Sequence, residues 1–314
     1  MSAAATTRDV RETLQGNVAR RRKEDVIQGV LVSAAGLSIV ISVAIVLALV
    51  FRTARFLSQV DLGALWAGVW RPRQGQFDLL SLFEGSLVVT SIAMVVATPL
   101  GLGAAAYLSE YAKPRARRLL KPIVETLAGI PSVVIGFFAL TVINPTVVQG
   151  IFGATSTFTA MAAGIGVGIL TIPLIASVSE DAMFAVPRAL REAAYGIGAR
   201  RRTVTLRVVF PAALSGIVAA LILGVSRAIG ETMVVAIAAG GTGNGMRTLS
   251  PFEPNQTLTA AIASLAIGSD QVKTRGSGLN AFDALYLVGF VLFVSTLLLN
   301  VISERFVRKY RRAY

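Results

Sequence analysis

Long blocks of apolar residues dominate this sequence and limit the folds open to it. About 20 consecutive apolar residues are needed for a helix to span the hydrocarbon core of a bilayer. Five blocks are long enough and carry few charges: residues 26–51, 86–109, 158–177, 212–240 and 282–303. A sixth, residues 122–143, is also long enough, although it contains Glu125 and Pro131. Because backbone polar groups in lipid must be satisfied within the segment, the blocks predict an all-α membrane protein with six transmembrane helices.

Basic residues are distributed unevenly along the chain. The net charge is +13, and 22 of the 30 Lys and Arg residues lie in four segments, residues 1–25, 113–121, 188–207 and 305–312. The segments between them, which would face the other side of the bilayer, hold only seven. Cytoplasmic segments of membrane proteins are enriched in Lys and Arg. The pattern therefore predicts cytoplasmic N and C termini, and it explains the basic charge by the lipid bilayer, with no nucleic acid as partner.

The predicted organisation follows from these two patterns. Residues 1–25 are a cytoplasmic N-terminal tail, 26–51 the first transmembrane helix and 52–85 an outer loop. Residues 86–303 form a transmembrane core with a cytoplasmic loop at 179–211, and 304–314 form a basic cytoplasmic tail. The first block is too long for the core of a cleaved signal peptide, so we expect it to remain as an anchor. The apolar run 258–268 has half the length of a span and predicts a re-entrant or interfacial helix.

Two residue types are missing from the sequence, and their absence narrows the chemistry. There is no Cys and no His, which removes thiolate chemistry, the commonest general base and the commonest metal ligand. The run GGTGNGMRT at 240–248 has Met246 where a phosphate-binding loop needs Lys. We therefore expect neither an enzyme nor a cofactor or metal site, and any ATP hydrolysis must come from a separate subunit.

The loop at 179–211 reads SEDAMFAVPRALREAAYGIGARRRTVTLRVVFP. Pro187 predicts the start of a short helix, and Gly196 or Gly198 predicts its end. One face of this helix is small and apolar; it consists of Ala189, Leu190, Ala193, Ala194 and Ile197. Such a face on a short cytoplasmic helix is suited to the groove of another protein, although an ordinary amphipathic connector has the same pattern.

The spacing Glu192-Ala193-Ala194, Gly198 and then Val208-Val209-Phe210-Pro211 resembles the docking loop of permease subunits in bacterial ABC importers. In that family the loop enters a cleft of the ATPase subunit and transmits its closure to the membrane helices. The resemblance implies the type I importer permease fold and the following ATPase-docking residues: Arg188, Leu190, Arg191, Glu192, Ala193, Ala194, Gly198 and Pro211.

Three longer stretches, at 120–140, 172–199 and 226–241, are similar to the PstC-type permeases of phosphate-specific importers. This resemblance implies a multi-pass protein of a prokaryotic cytoplasmic membrane. It also implies three kinds of protein partner: a second permease half of PstA type, a dimer of ATP-binding subunits of PstB type and an extracytoplasmic phosphate-binding protein of PstS type.

The fifth apolar block contains two charged residues, Arg227 and Glu231. A charge at the centre of a spanning helix costs about 2.5–3.5 kcal/mol, and such residues usually line pathways. On a continuous helix the two residues are four apart and share a face, so they can pair. We expect Arg227, Glu231 and the hydroxyl of Thr232 to line the substrate pathway, where a guanidinium can bind a phosphate oxyanion through two hydrogen bonds. A purely structural ion pair is the alternative.

Other functions remain open from the residues alone. A single intramembrane arginine does not distinguish phosphate from sulfate, molybdate or phosphonate. A proton-coupled secondary transporter would use Glu231 as a relay, but it would leave the docking loop unexplained.

Overall fold

The computed structural model describes residues 18–66, 68–240, 247–267 and 281–310, and most of them are helical. Five helices are long and apolar enough to cross a membrane. A sixth crossing results when Arg201–Ala212 and Leu214–Gly230, bent by 73°, are counted as one span. The prediction of an all-α membrane protein with six spans is confirmed.

The described residues up to Phe51 form one unit, and those from Arg52 onward form another. The first unit contains most of helix α1 (Val18–Leu57), and no residue in the most apolar stretch of this helix is buried. A helix that is apolar on all sides and buries none of them in its own unit is suited to contact with lipid. This helix contains the predicted first span and extends past it at both ends.

A small hairpin opens the second unit after the end of α1. Strand β1 (Trp70–Arg71) pairs antiparallel with β2 (Gln76–Phe77). The Phe77 ring packs edge-on against the Phe56 ring, with 5.1 Å between the ring centroids. Helix α2 begins directly after the hairpin, because the side chain of Asp78 accepts a hydrogen bond from the backbone N–H of Ser81 at 3.1 Å and caps it. Helical structure thus extends into both ends of the segment 52–85, up to Leu57 and from Leu79.

The remaining helices of the second unit follow in chain order. They are α2 (Leu79–Ala106), α3 (Pro114–Leu127), α4 (Ser132–Phe138), α5 (Ala160–Phe184), α6 (Arg188–Gly196), α7 (Arg201–Val204), α8 (Leu214–Gly230), α9 (Met233–Val235), α10 (Leu258–Ile267) and α11 (Ala284–Tyr310), with single helical turns also at Gly150–Phe152 and Phe210–Ala212. Helices α2, α4, α7 and α9 continue as π-helical turns at Tyr107–Tyr111, Ala139–Gln149, Thr205–Val209 and Ala236–Gly240. The predicted short helix at 258–268 corresponds to α10.

The sixth predicted span, 122–143, is wrong in its bounds. The chain leaves the helical conformation after α3, and the span itself is Ser132–Phe152. The cause is Pro131, which lacks an N–H and disfavours the helical conformation in the residue before it. Glu125 consequently lies in α3, an amphipathic helix with no buried residue, outside the span.

Helices α2 and α5 form the tightest helix pair of the core, and glycines allow their approach. A Cβ atom on Gly164 would lie 2.6 Å from Cβ of Ile92, and one on Gly101 would lie 2.8 Å from a methyl group of Ile175. Small residues bring membrane helices together in this way because lipid supplies no hydrophobic drive between them. The pair therefore has little room to slide or rotate internally.

Candidate coupling loop and translocation site

The short helix of the 179–211 loop begins and ends where the sequence predicts. Pro187 is extended, with φ −56° and ψ 136°, and α6 follows it. Gly198 has φ +81°, a left-handed conformation that favours glycine, and its N–H donates to the carbonyl of Tyr195 at 2.9 Å. The turn at Gly198 thus ends the helix and sets the direction of the chain toward α7.

The apolar face of α6 is divided between two surroundings. Leu190 and Ala194 are half-buried and pack against a cluster of the chain's own buried residues that includes Met183, Val204 and Val209. The rest of the face is exposed, with Ile197 at 88% of its full surface. Five of the predicted docking residues are exposed; they are Arg188, Glu192, Ala193, Gly198 and Pro211.

Arg191 makes its contacts with the chain itself. Its guanidinium donates to Oε1 of Glu110 from Nη2 at 2.9 Å and from Nε at 3.2 Å, and to the carbonyls of Met183 at 2.7 Å and Val186 at 2.5 Å. The side chain is only 16% exposed. Charge-assisted contacts of this kind are strong. Arg191 therefore anchors α6 to the end of α2, and its docking role stays a prediction.

The other end of the loop is attached to the same part of α2. The Arg201 guanidinium donates to the backbone carbonyl of Glu110 and lies over the Tyr111 ring, 5.0 Å from its centroid. A cation above an aromatic face is attracted by the ring quadrupole. The π-helical end of α2 thus holds both the helix α6 and the start of α7, so a force applied to α6 reaches α2 directly.

A second ion cluster joins α3 to the end of α5. The fully buried carboxylate of Glu180 accepts hydrogen bonds from Arg117 and from Nζ of Lys121, the latter at 2.6 Å. Lys121 also donates to Asp181 at 2.7 Å. The carboxylates of Asp181 and Glu180 hold the pKa of Lys121 above its usual value, so this ammonium stays charged throughout the physiological range.

The fifth predicted span is not one continuous helix. Helix α8 ends at Gly230, and Glu231 is extended with φ −70° and ψ 127°. Arg227 and Glu231 therefore do not share a helix face, and within the described residues neither has an ion-pair partner. The expected pairing is wrong. Arg227 is exposed on α8, Glu231 is half-buried, and Thr232 donates its hydroxyl to the carbonyl of Gly230 at 3.3 Å.

The first two residues of α10 stabilise the region around the break in the span. The hydroxyl of Thr259 donates to the backbone carbonyl of Glu231 at 2.8 Å, replacing a hydrogen bond that a helix would have made. The N–H of Leu258 donates to Oγ of Ser86 at 3.0 Å, which fixes α10 against α2. A transporter helix can be interrupted where neighbouring groups form hydrogen bonds with the backbone N–H and C=O groups at the break. Such interruptions are common at binding sites.

Sequence reasoning missed the two ion clusters. Glu110, Arg117, Lys121 and Glu180 carry no motif of their own, and their partners lie far away along the chain. One weak signal existed: Glu180 and Asp181 end a long apolar block opposite a basic segment.

The chain is similar to known transport permeases over most of its length. The family described as "Binding-protein-dependent transport system inner membrane component" matches residues 97–312. "Probable ABC transporter permease protein YqgH" of Bacillus subtilis is 36% identical over 245 residues, which cover 75% of each chain. "Phosphate transport system permease protein PstC" of Mesorhizobium japonicum is 34% identical over 267 residues, which cover 79% of each chain. These relatives are transport subunits and not enzymes, and they confirm the resemblance to PstC-type permeases.

The fold is also found among solved structures. A bacterial ABC transporter involved in the import of the acidic polysaccharide alginate superposes with a TM-score of 0.61 at 14% identity, covering 93% of this chain and 100% of that chain. The likeness confirms the type I importer permease fold. The family match, together with the apolar helices, confirms the expected multi-pass position in the cytoplasmic membrane. The chain belongs to the family of inner membrane components of binding-protein-dependent transport systems.

Proposed function

We propose that this chain is the PstC-type permease subunit of an ATP-driven ABC importer that carries inorganic phosphate across the cytoplasmic membrane. The observation that carries the proposal is the exposed Arg227, one turn before the break in an interrupted span and without an ion-pair partner in the described residues, in a chain whose relatives include phosphate transport permeases. Importers of this family work with a second permease, ATP-binding subunits and a substrate-binding protein; we assign these partners to the PstA, PstB and PstS types.

The position of Arg227 supports a role in the pathway. At 1.5 Å per residue, Arg227 lies about 20 Å along α8, beyond the middle of a hydrocarbon core of about 30 Å. An exposed guanidinium at this depth would be costly in lipid, so we infer that it faces the second permease across a polar path. There it can bind two oxygens of a phosphate anion at once. Glu231 and Thr232, at the break itself, complete the proposed pathway.

Glu231 has a second role in this proposal. Conduction requires a site that binds its ion weakly enough to release it. A carboxylate near Arg227 lowers the local positive potential without removing the two donors. Glu231 therefore sets the rate of release, whereas Arg227 sets binding.

The exposed part of the coupling loop supports docking to an ATPase. The exposed residues are Arg188, Glu192 and Ala193 on α6 and Ile197 directly after it. Arg191 anchors the helix to Glu110 at the end of α2. An exposed, small-residue face on a rigidly held helix fits a groove of a partner protein. Gly198 and Pro211 act by shaping the loop at its two bends, and Leu190 and Ala194 act by packing it on the core.

Phosphate uptake into proteoliposomes containing the complete importer tests the proposal. We expect uptake that requires ATP on the side of the ATPases and is competed by unlabelled phosphate but not by sulfate. Arg227→Gln should abolish uptake, and Glu231→Gln should slow it. Arg202→Gln removes an exposed charge elsewhere and serves as the matched control. Normal uptake by the Arg227→Gln protein would refute the pathway role.

The same experiment addresses the alternatives. Competition by sulfate, molybdate or phosphonate in place of phosphate would identify a permease for that oxyanion. Uptake driven by a proton gradient without an ATPase would identify a secondary transporter centred on Glu231. The anchored loop with its exposed α6 face favours the ATP-driven function over this last alternative.

A further inference from the structure

A cavity of about 640 Å³ opens beside the coupling loop. It lies between the end of α2, one face of α3 and the connection from α5 to α6. Its lining combines basic side chains with apolar ones; the main contributors are Leu108, Arg117, Arg118, Lys121, Phe184 and Arg188. Arg227 is not among the lining residues, so this cavity is separate from the proposed pathway site.

The basic residues of the cavity fall into two groups. Arg117 and Lys121 are already bound to the buried carboxylate of Glu180. The side chains of Arg118 and Arg188, in contrast, have no hydrogen-bond or ion-pair partner anywhere in the described part of the chain. Glu125 is the one acidic residue of the lining. The cavity therefore presents two exposed guanidinium groups, from two different helices, that have no protein partner in the described part of the chain.

The chemistry of these groups identifies a class of ligand. A guanidinium presents a planar set of donors that matches phosphoryl oxygens in a bidentate manner. Apolar side chains such as Leu108 and Phe184 line the same cavity. Basic pockets beside transmembrane helices on the cytoplasmic side are suited to phosphate-bearing headgroups.

We propose that this cavity binds a phosphoryl anion between Arg118 of α3 and Arg188 at the start of α6. The anion is either inorganic phosphate from the cytoplasm or the headgroup of an anionic phospholipid. The two sources present the same oxygens to the same guanidinium groups. This inference does not depend on which substrate the importer carries.

The site would connect two parts of the coupling machinery. Helix α3 is fixed to α5 through Glu180, and Arg188 is the first residue of α6. A bound anion would join α3 to α6 and restrict the movement of α6 relative to the core. We therefore expect occupancy of the cavity to change the ATPase activity of the assembled importer.

The absence of cysteine from the natural chain permits a local measurement. Ala112→Cys places a single thiol of this chain in the cavity lining. The rate at which a maleimide labels this thiol is measured in the complete importer, reconstituted in phosphatidylcholine nanodiscs with or without inorganic phosphate. A second arm replaces part of the phosphatidylcholine by phosphatidylglycerol in the absence of phosphate. Chloride at equal ionic strength corrects for screening.

We expect a bound anion to protect the thiol at residue 112 from the maleimide. The additive that gives protection, phosphate or phosphatidylglycerol, identifies the ligand. At an anion concentration ten times the dissociation constant, labelling should slow about tenfold. Protection by phosphate in phosphatidylcholine indicates the free anion, and protection by phosphatidylglycerol indicates the headgroup. In either case Arg118→Gln/Arg188→Gln should remove the protection, and Arg118→Gln alone should weaken it.

Arg115→Gln/Arg202→Gln is the matched control, because it removes the same charge from exposed positions outside the cavity. This control should keep full protection. Absence of protection by both ligands would overturn the proposal, and so would protection that persists in the Arg118→Gln/Arg188→Gln variant. Failure of phosphate uptake would leave this readout unaffected, since the label reports on residue 112 and not on transport.

Discussion

The ion pair between Glu110 and Arg191 allows a direct test of how the coupling loop is held. Glu110→Ala removes the two carboxylate contacts at 2.9 and 3.2 Å and leaves the guanidinium with the carbonyls of Met183 and Val186. The Glu110 and Arg191 side chains are 5% and 16% exposed, so the remaining positive charge stays largely buried. Breaking a buried ion pair from one side costs about 3–5 kcal/mol, and with two carbonyls retained we expect about 3 kcal/mol.

Two measurements follow the perturbation. The free energy of unfolding of the purified chain in detergent micelles reports the loss of stability, and Arg191→Met and the double variant complete a mutant cycle. The amount of substrate imported per ATP hydrolysed by the complete importer reports coupling. We expect Glu110→Ala to lower this ratio, because α6 moves without carrying α2, whereas a residue with only a structural role would lower yield and leave the ratio unchanged.

The double variant Glu110→Ala/Arg191→Met provides the decisive comparison. Without the guanidinium no charge remains buried, so stability should recover in large part while coupling stays low. Arg202→Met, an exposed change in the same loop, should affect neither quantity. The reasoning is refuted if Glu110→Ala matches the wild type in both measurements, or if the double variant is less stable than the single variants by the sum of their effects.

Three further predictions concern packing, docking and the second ion cluster. Gly85→Ala should lower the free energy of unfolding by about 1–3 kcal/mol, since the new Cβ would lie 2.3 Å from the carbonyl oxygen of Gln256. Gly103→Ala, with open space around the new Cβ, is the control in the same unfolding assay. Ile197→Glu should reduce co-purification with the ATPase and leave the melting temperature of the chain unchanged, because this side chain is 88% exposed. Glu180→Ala should lower the free energy of unfolding by about 3 kcal/mol, because Arg117 and Lys121 lose their buried partner; equal stability would contradict the contacts described here.

The sequence allows prediction of features that depend on nearby residues. The spans follow from apolar length, and the ends of α6 follow from Pro187 and Gly198, whose backbone preferences act within one or two residues. Pro131 carried the signal for the break between α3 and α4, but the apolar residues around it favoured a continuous span.

Features that depend on distant residues were not predictable in this way. The end of α8 at Gly230 lies inside the block 212–240, which is long enough for one span. Thr259, which binds the carbonyl of Glu231 just after this end, is 28 residues further along the chain than Glu231. The pairing of Arg191 with Glu110 joins positions 81 residues apart. Neither contact leaves a pattern in local sequence, since each side chain alone is compatible with an exposed or a paired position. The expected Arg227–Glu231 pair failed for the same reason, because it assumed a helix that tertiary contacts interrupt.

The close approach of α2 and α5 has a mechanical consequence. The glycines of α2 and α5 are already in close contact with side chains of the facing helix. We therefore expect the two helices to move together as one rigid unit and not to slide past one another. The coupling loop is attached to one end of this helix pair through the ion pair of Arg191 with Glu110. Helix α10 contacts the other end through the hydrogen bond to Ser86. If the coupling loop tilts α2, we expect α5 to tilt with it and the movement to reach α10 at the other end of the pair. Bending can occur where the chain leaves the helical conformation, as at residues 128–131 and 231–232 and at the 73° bend before Leu214.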